Sequence, residues 1–94
     1  MIIAVDFDGT LYNGKETNVM LIARLKAAQR QGSTVILWTC REGPSLAEAL
    51  SILAGAGFRP SLVNSNAPEV ILRTGRDTRK IFADVYIDDK GVVP

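Results

Sequence analysis

The sequence contains no histidine. That excludes a Ser-His-Asp triad, a histidine-activated thiol and a zinc site built on imidazole. Cysteine occurs once, at Cys40, so no internal disulfide can form, and a reducing cytoplasm is the expected compartment. Charge of one sign is not in excess, because 11 Lys and Arg stand against 10 Asp and Glu. A net charge of +1 supplies no basic footprint for a nucleic-acid duplex and little support for a metal nuclease. Long apolar runs are missing as well. The run Met1–Val5 meets Asp6, far short of a signal-peptide core or a membrane span. The 94 residues suffice for one small domain, 1–94, and no repeat, linker or low-complexity tract interrupts it. What is left for chemistry is carboxylates, hydroxyls, lysine, arginine and a metal.

Apolar runs alternate with helical periods along the chain. Ile2-Ile3-Ala4-Val5 suits a strand buried on both faces, and Asp6 to Lys15, with two glycines and Asn13-Gly14, reads as a loop with a small flap. From Thr17 to Gln31 the residues Val19, Leu21, Ile22, Leu25 and Ala28 recur near helical spacing. Thr17 or Asn18 is placed to cap that helix, and Gly32 to end it. Thr34–Trp38 is a second strand, with Trp38 expected in the core. Pro44-Ser45 opens a helix whose stripe is Leu46, Ala49, Leu50 and Leu53. Ser61–Val63 is a third strand, Ala67–Arg73 and Asp77–Phe82 are short helical segments, and Asp84–Ile87 is a fourth strand. Five residues follow Asp89, too few for a further edge strand by this reading.

This alternation implies right-handed βαβ units. The expected fold is α/β, a three-layer Rossmann-like domain with a mainly parallel four-stranded sheet. Ligands in such sheets bind beyond the carboxyl ends of the strands, where the strand order reverses. The polar residues obey that rule. Asp6 and Asp8 follow strand one, Thr39 follows strand two, Asn64 follows strand three, and Asp88-Asp89 follow strand four. Each acid alone reads as a loop cap or a solubilising strand end. If strands one and four are neighbours, roughly 5 Å apart, the four acids crowd together. Two carboxylates about 4 Å apart repel by roughly 4 kcal/mol at an effective dielectric near 20. A hard divalent cation relieves that repulsion, and Mg2+ is the usual one where phosphate is handled.

Asp6-Phe7-Asp8-Gly9-Thr10-Leu11 after a buried strand resembles the nucleophile motif of the haloacid dehalogenase superfamily in its phosphatase form. Thr39 matches the second-motif Ser/Thr, Lys80 the third-motif lysine, and Asp88-Asp89 the terminal acidic pair. The likeness runs from Ile2 to about Lys90. Leu37–Gly43 and Lys80–Asp89 are similar to small capless members, among them capsule-biosynthesis-phosphatase-like proteins. Neither 9–33 nor 41–79 has room for a cap domain.

The resemblance implies a magnesium-dependent phosphomonoesterase working through an aspartyl-phosphate. Asp6 is then the nucleophile and a metal ligand. Asp8 is the acid and later the base, and its backbone carbonyl also faces the metal; a two-step cycle requires one group to serve both ways. Dehalogenase members lack the second Asp, so Asp8 points to phosphoryl chemistry. Thr39 binds a phosphoryl oxygen together with backbone N–H groups around Phe7, Asp8 and Cys40. Lys80 neutralises charge, with Arg76 and Arg79 as rivals. Asp88 is the direct ligand of the second pair, and Asp89 orders a metal-bound water or pairs with Lys80.

Cys40 reads as a small site-lining residue, since no histidine activates it. Arg41 is either a clamp for a second anionic group or a solvated loop charge. Asn64 and Asn66 either contact substrate or shape a turn. A site without a cap is open. It suits a bulky phosphoester, a phosphorylated nucleic-acid end included, or a small one enclosed by another subunit of a homo-oligomer. The competing class is a non-catalytic phosphate- or metal-binding regulatory domain. A response-regulator receiver fits poorly, because its phosphorylated Asp ends strand three, where this chain has Asn64. The residues name neither the substrate nor the choice between Mg2+ and Mn2+.

Overall fold

The computed structural model describes residues 1–94. Strand β1 (Ile2–Val5) is followed by helix α1 (Val19–Arg30), strand β2 (Thr34–Leu37), helix α2 (Gly43–Gly55), strand β3 (Leu62–Val63), helix α3 (Pro68–Thr74), strand β4 (Val85–Asp88) and strand β5 (Gly91–Val93). The sheet order is β3-β2-β1-β4-β5. β1 to β4 are parallel, and β5 runs antiparallel to β4. The protein is therefore α/β with a five-stranded, mostly parallel sheet and three helices, compatible with a Rossmann-like fold. No helix is long and apolar enough to cross a membrane.

Sheet order follows from the right-handed crossover. Two successive steps in one direction, β1 to β2 to β3, put α1 and α2 on the same face. There Ile22, Leu25, Ala49 and Leu53 bury against Ile3, Val5, Val35 and Leu37, with Phe7, Leu11 and Phe58 closing the ends of that core. The step back to β4 on the far side of β1 reverses the direction. The other face is covered thinly, by Ile81 on Ala4 and Ile36, with Ala83, Leu62 and Tyr86 beside it. Both faces of β1 and β2 are thus covered, which explains their unbroken apolar runs.

Local signals set most boundaries. Asn18 caps α1 by accepting from the Leu21 N–H at 3.1 Å, and Pro44 stands in the first turn of α2. Asn13 Oδ1 accepts from the N–H groups of Lys15 and Glu16 at 2.8 Å, closing the tip of the flap. Val19 departs from the expected stripe: it lies in the first turn of α1 and is exposed.

Three expectations are corrected. The sheet has five strands, because Asp89-Lys90 forms a two-residue hairpin turn that pairs Asp88 with Gly91. Gly91 takes a φ of 124° there, and Asp88 Oδ1 accepts from the Lys90 N–H at 2.8 Å. Residues 77–82 are not helical. Buried Asn66 organises them instead: its amide nitrogen donates to Asp77 Oδ1 at 2.9 Å and Lys80 O at 3.1 Å, and its oxygen accepts from the Phe82 N–H at 2.8 Å. Asn66 is therefore a buried turn organiser. Trp38 lies just past β2 and is 45% exposed.

Replacing Asn66 with Ala strands the Phe82 N–H, whereas the Lys80 carbonyl keeps the Thr78 hydroxyl as a donor at 2.8 Å. Thermal denaturation should show a loss of about 2–3 kcal/mol, or roughly 10–20 °C in Tm for a domain of this size. Leu72→Ala, on the exposed side of α3, should stay within about 0.5 kcal/mol of the parent.

Candidate active site

The reversal of sheet order falls between β1 and β4, where the switch-point rule places a ligand. Asp6 leaves β1 with its N–H donating to the Ile87 carbonyl at 2.9 Å, so the ends of the two strands are locked together. Gly9 in the flap has a φ of 79°, and a Cβ there would stand 3.5 Å from Asp89 Cβ. The flap therefore lies directly against the acidic pair. A cavity of about 360 Å³ opens at this edge, lined by Asp6, Trp38, Thr39, Cys40, Asp88, Asp89 and Lys90. Asp88 and Asp89 are also the wall of a second hollow, shared with Gly9, Thr10 and Val92. A larger hollow between the flap and α2, around Tyr12 and Ile52, gathers no cluster of carboxylates.

Burial raises the proton affinity of Asp6, and the charges of Asp8, Asp89 and Asp88 raise it further, against the opposing pull of the Phe7 N–H on its carboxylate. Of the four acids expected to converge, Asp6 is the one that feels the other three. The four are not drawn into a ready set of ligands, since no three His, Cys, Asp or Glu side chains stand together in a metal-holding group. Three of the four have another partner: Phe7 N–H for Asp6 at 2.9 Å, Lys90 N–H for Asp88, and Arg41 for Asp8. The donor set nonetheless fits Mg2+, an oxygen-seeking ion that is held by one or two carboxylates and keeps several waters.

Arg41 does what neither sequence reading anticipated. Its Nε donates to Asp8 Oδ2 at 2.9 Å and a terminal nitrogen donates to Oδ1 at 2.8 Å. The same guanidinium donates to the Ser45 carbonyl at 3.1 Å and lies 4.8 Å from the Phe7 ring centre. It is neither a free clamp nor a solvated charge, and it holds Asp8 well below the usual carboxylate range. Asn64 is likewise engaged within the chain. In the left-handed region at a φ of 50°, it accepts from the Thr39 N–H at 2.8 Å and donates to the Thr39 carbonyl at 2.9 Å. Asn64 thus tethers the end of β2. Thr39 is nearly buried, and its Oγ1 accepts from the Arg41 N–H at 3.1 Å, which leaves the hydroxyl proton free to donate.

The backbone donors are divided. The Phe7 N–H serves its neighbour Asp6, whereas those of Asp8 and Cys40 find no acceptor within the chain. Cys40 is exposed and lines the cavity, as expected. Lys80 is not brought in. Its ammonium lies 5.3 Å from the Phe82 ring centre, outside the cavity lining and outside the charges acting on Asp6. Lys90, at the hairpin turn, lines the cavity, and that turn was the signal to it. Thr10 Oγ1 is buried without a partner beside Asp88 and Asp89.

Taken together, these features define an α/β protein with an acidic, open cavity at the switch point of a mostly parallel sheet. Compared with solved structures, the whole chain (100%) is similar to a conserved protein from Bacteroides thetaiotaomicron, with a TM-score of 0.80, 35% identity and 81% of that protein covered. At that identity and coverage the chain belongs to the same family as the Bacteroides protein. No protein-family model and no curated protein matches it.

Arg41→Gln should raise the pKa of Asp8 towards an ordinary carboxylate value, read from the Asp8 side-chain carbon in an NMR pH titration. The sign follows from the pair: a lowered folded value means that stability is gained above the unfolded pKa and lost as the pH falls through the folded one. The Asp8 side chain is 57% exposed, so the change in stability should be small beside the change in titration.

Proposed function

We propose that the protein is a Mg2+-dependent phosphomonoesterase on a haloacid-dehalogenase-like fold. The observation that carries this reading is the crowding of Asp6 by Asp8, Asp88 and Asp89 at the β1–β4 switch point, with Thr39 on the same cavity. Asp6, Asp88 and the backbone carbonyl of Asp8 would hold the metal, with Asp89 ordering its water. When bound, the ion supplies charge to offset the carboxylates and the phosphoryl oxygens.

In the first displacement a carboxylate oxygen of Asp6 bonds to phosphorus, the ester P–O bond breaks, and Asp8 gives its proton to the departing oxygen. In the second, water bonds to phosphorus, Asp8 takes the water proton, and the Asp6–phosphorus bond breaks to release phosphate. The Thr39 hydroxyl and the free N–H groups of Asp8 and Cys40 are the donors available to the phosphoryl oxygens. Asp8 starts as an ion-paired carboxylate, so protonation requires Arg41 to leave it. The doubly charged phosphoryl group is the natural competitor for that guanidinium. Lys90 is the cationic residue that lines the cavity, although its charge is not among those acting on Asp6.

Hydrolysis of p-nitrophenyl phosphate should require Mg2+, stop with EDTA and fall at least 10³-fold in Asp6→Asn, as loss of a nucleophile demands. Lys90→Met should lower activity roughly tenfold. A larger loss in Lys80→Met would show that its loop moves inward on binding. The occupation of Asp8 by Arg41 favours one rival reading, a phosphate-binding domain without turnover. Beryllofluoride binding with Mg2+ in the absence of any hydrolysis would decide for it.

A further inference from the structure

We propose that Trp38 is a stacking platform for the leaving group, so that the substrate is a phosphomonoester of an aromatic or heteroaromatic ring compound; this rests on the phosphatase reading above. The register supplies the placement. Ala4 is the partner of Ile36 on β2 and of Tyr86 on β4. Two residues further along each strand, on the same face, stand Trp38, Asp6 and Asp88 in one row. Asp6 is thus flanked by an indole on one side and a carboxylate on the other, and all three line the same cavity.

Trp38 has the form of a binding surface. Its backbone N–H donates to the Val5 carbonyl at 2.8 Å, so its base is fixed by the β1 ladder. Tyr86 meets it edge-on, at 6.1 Å between centroids and 67° between planes. Tyr86 is itself pinned, donating from its hydroxyl to the Ile81 carbonyl at 2.6 Å and accepting from the Ala83 N–H at 3.0 Å. The indole is therefore braced by Tyr86 while nearly half of the residue is open to solvent. The cover on this face of the sheet, Ile81 over Ala4 and Ile36, stops before Trp38. The remaining cavity residues either belong to the phosphoryl chemistry or are as small as Cys40, which leaves Trp38 as the one large apolar contact for a leaving group. An aromatic ring offers it a matching π-face, and the bare carboxylates around it are poor company for further negative charge.

Trp38 is the sole tryptophan of the chain, so its fluorescence reports the site directly. The intact protein with Mg2+ would be titrated with phenylphosphonate and methylphosphonate, which are not hydrolysed, by fluorescence and by calorimetry. Initial rates would then be compared for adenosine monophosphate and a hexose phosphate. Phenylphosphonate should quench Trp38 and bind about tenfold more tightly than methylphosphonate, the scale of one ring stacked on an aromatic side chain. That preference should vanish in Trp38→Ala and survive largely in Trp38→Phe, and adenosine monophosphate should be turned over in preference to the hexose phosphate. Equal binding of the two phosphonates, or a preference that Trp38→Ala leaves intact, overturns the platform while the phosphate site stands. A preference for the hexose phosphate likewise overturns the aromatic substrate class. Binding of neither phosphonate removes the phosphatase reading and this inference with it.

Discussion

Repulsion among four carboxylates at one sheet edge is the constraint around which the rest of the site is organised. Asp6, Asp8, Asp88 and Asp89 are gathered there because β4 lies beside β1, and a sheet that puts acids on adjacent strand ends must answer their charge locally. The chain answers with separate partners. A backbone N–H takes Asp6, a hairpin N–H takes Asp88, and a guanidinium takes Asp8. These bonds hold the acids by separate donors, each of which offsets carboxylate charge where it stands.

Behind that edge, two asparagines do the structural work. Asn64 fixes the backbone of Thr39 from the neighbouring strand end, and Asn66 fixes the loop that leads into β4. Buried polar groups of this kind are costly unless every donor and acceptor is met, and Asn66 meets the requirement with backbone and side-chain partners on both sides of its loop. The cavity therefore rests on strand ends tied sideways to one another, with Gly9 of the flap lying close to Asp89.

Periodicity made the first four strands and the two long helices readable, because each carries an apolar run or stripe, and one of the two capping residues offered for α1, Asn18, is the cap. The convergence of Asp6, Thr39, Asn64 and Asp88 on one edge followed from strand alternation alone. What escaped depends on distant partners. Nothing near Arg41 in sequence reveals that Asp8, thirty-three residues earlier, is its acceptor. Asn66 looked like an ordinary turn residue because its partners lie 11 to 16 positions on. Trp38 continued an apolar run, and its exposure is decided by how little covers the β2 end on that face. The fifth strand was missed for a local reason: its two-residue turn, Asp89-Lys90, carries none of the usual Asn-Gly, Asp-Gly or Gly-Gly signals.

The Asp89-Lys90 turn also has a geometric meaning. Asp88 and Asp89 border hollows on both of their sides, which makes the hairpin a thin partition between two solvent-filled compartments. The two hollows therefore share a wall of only two carboxylate residues, so that any change of side chain at Asp88 or Asp89 alters the lining of both at once.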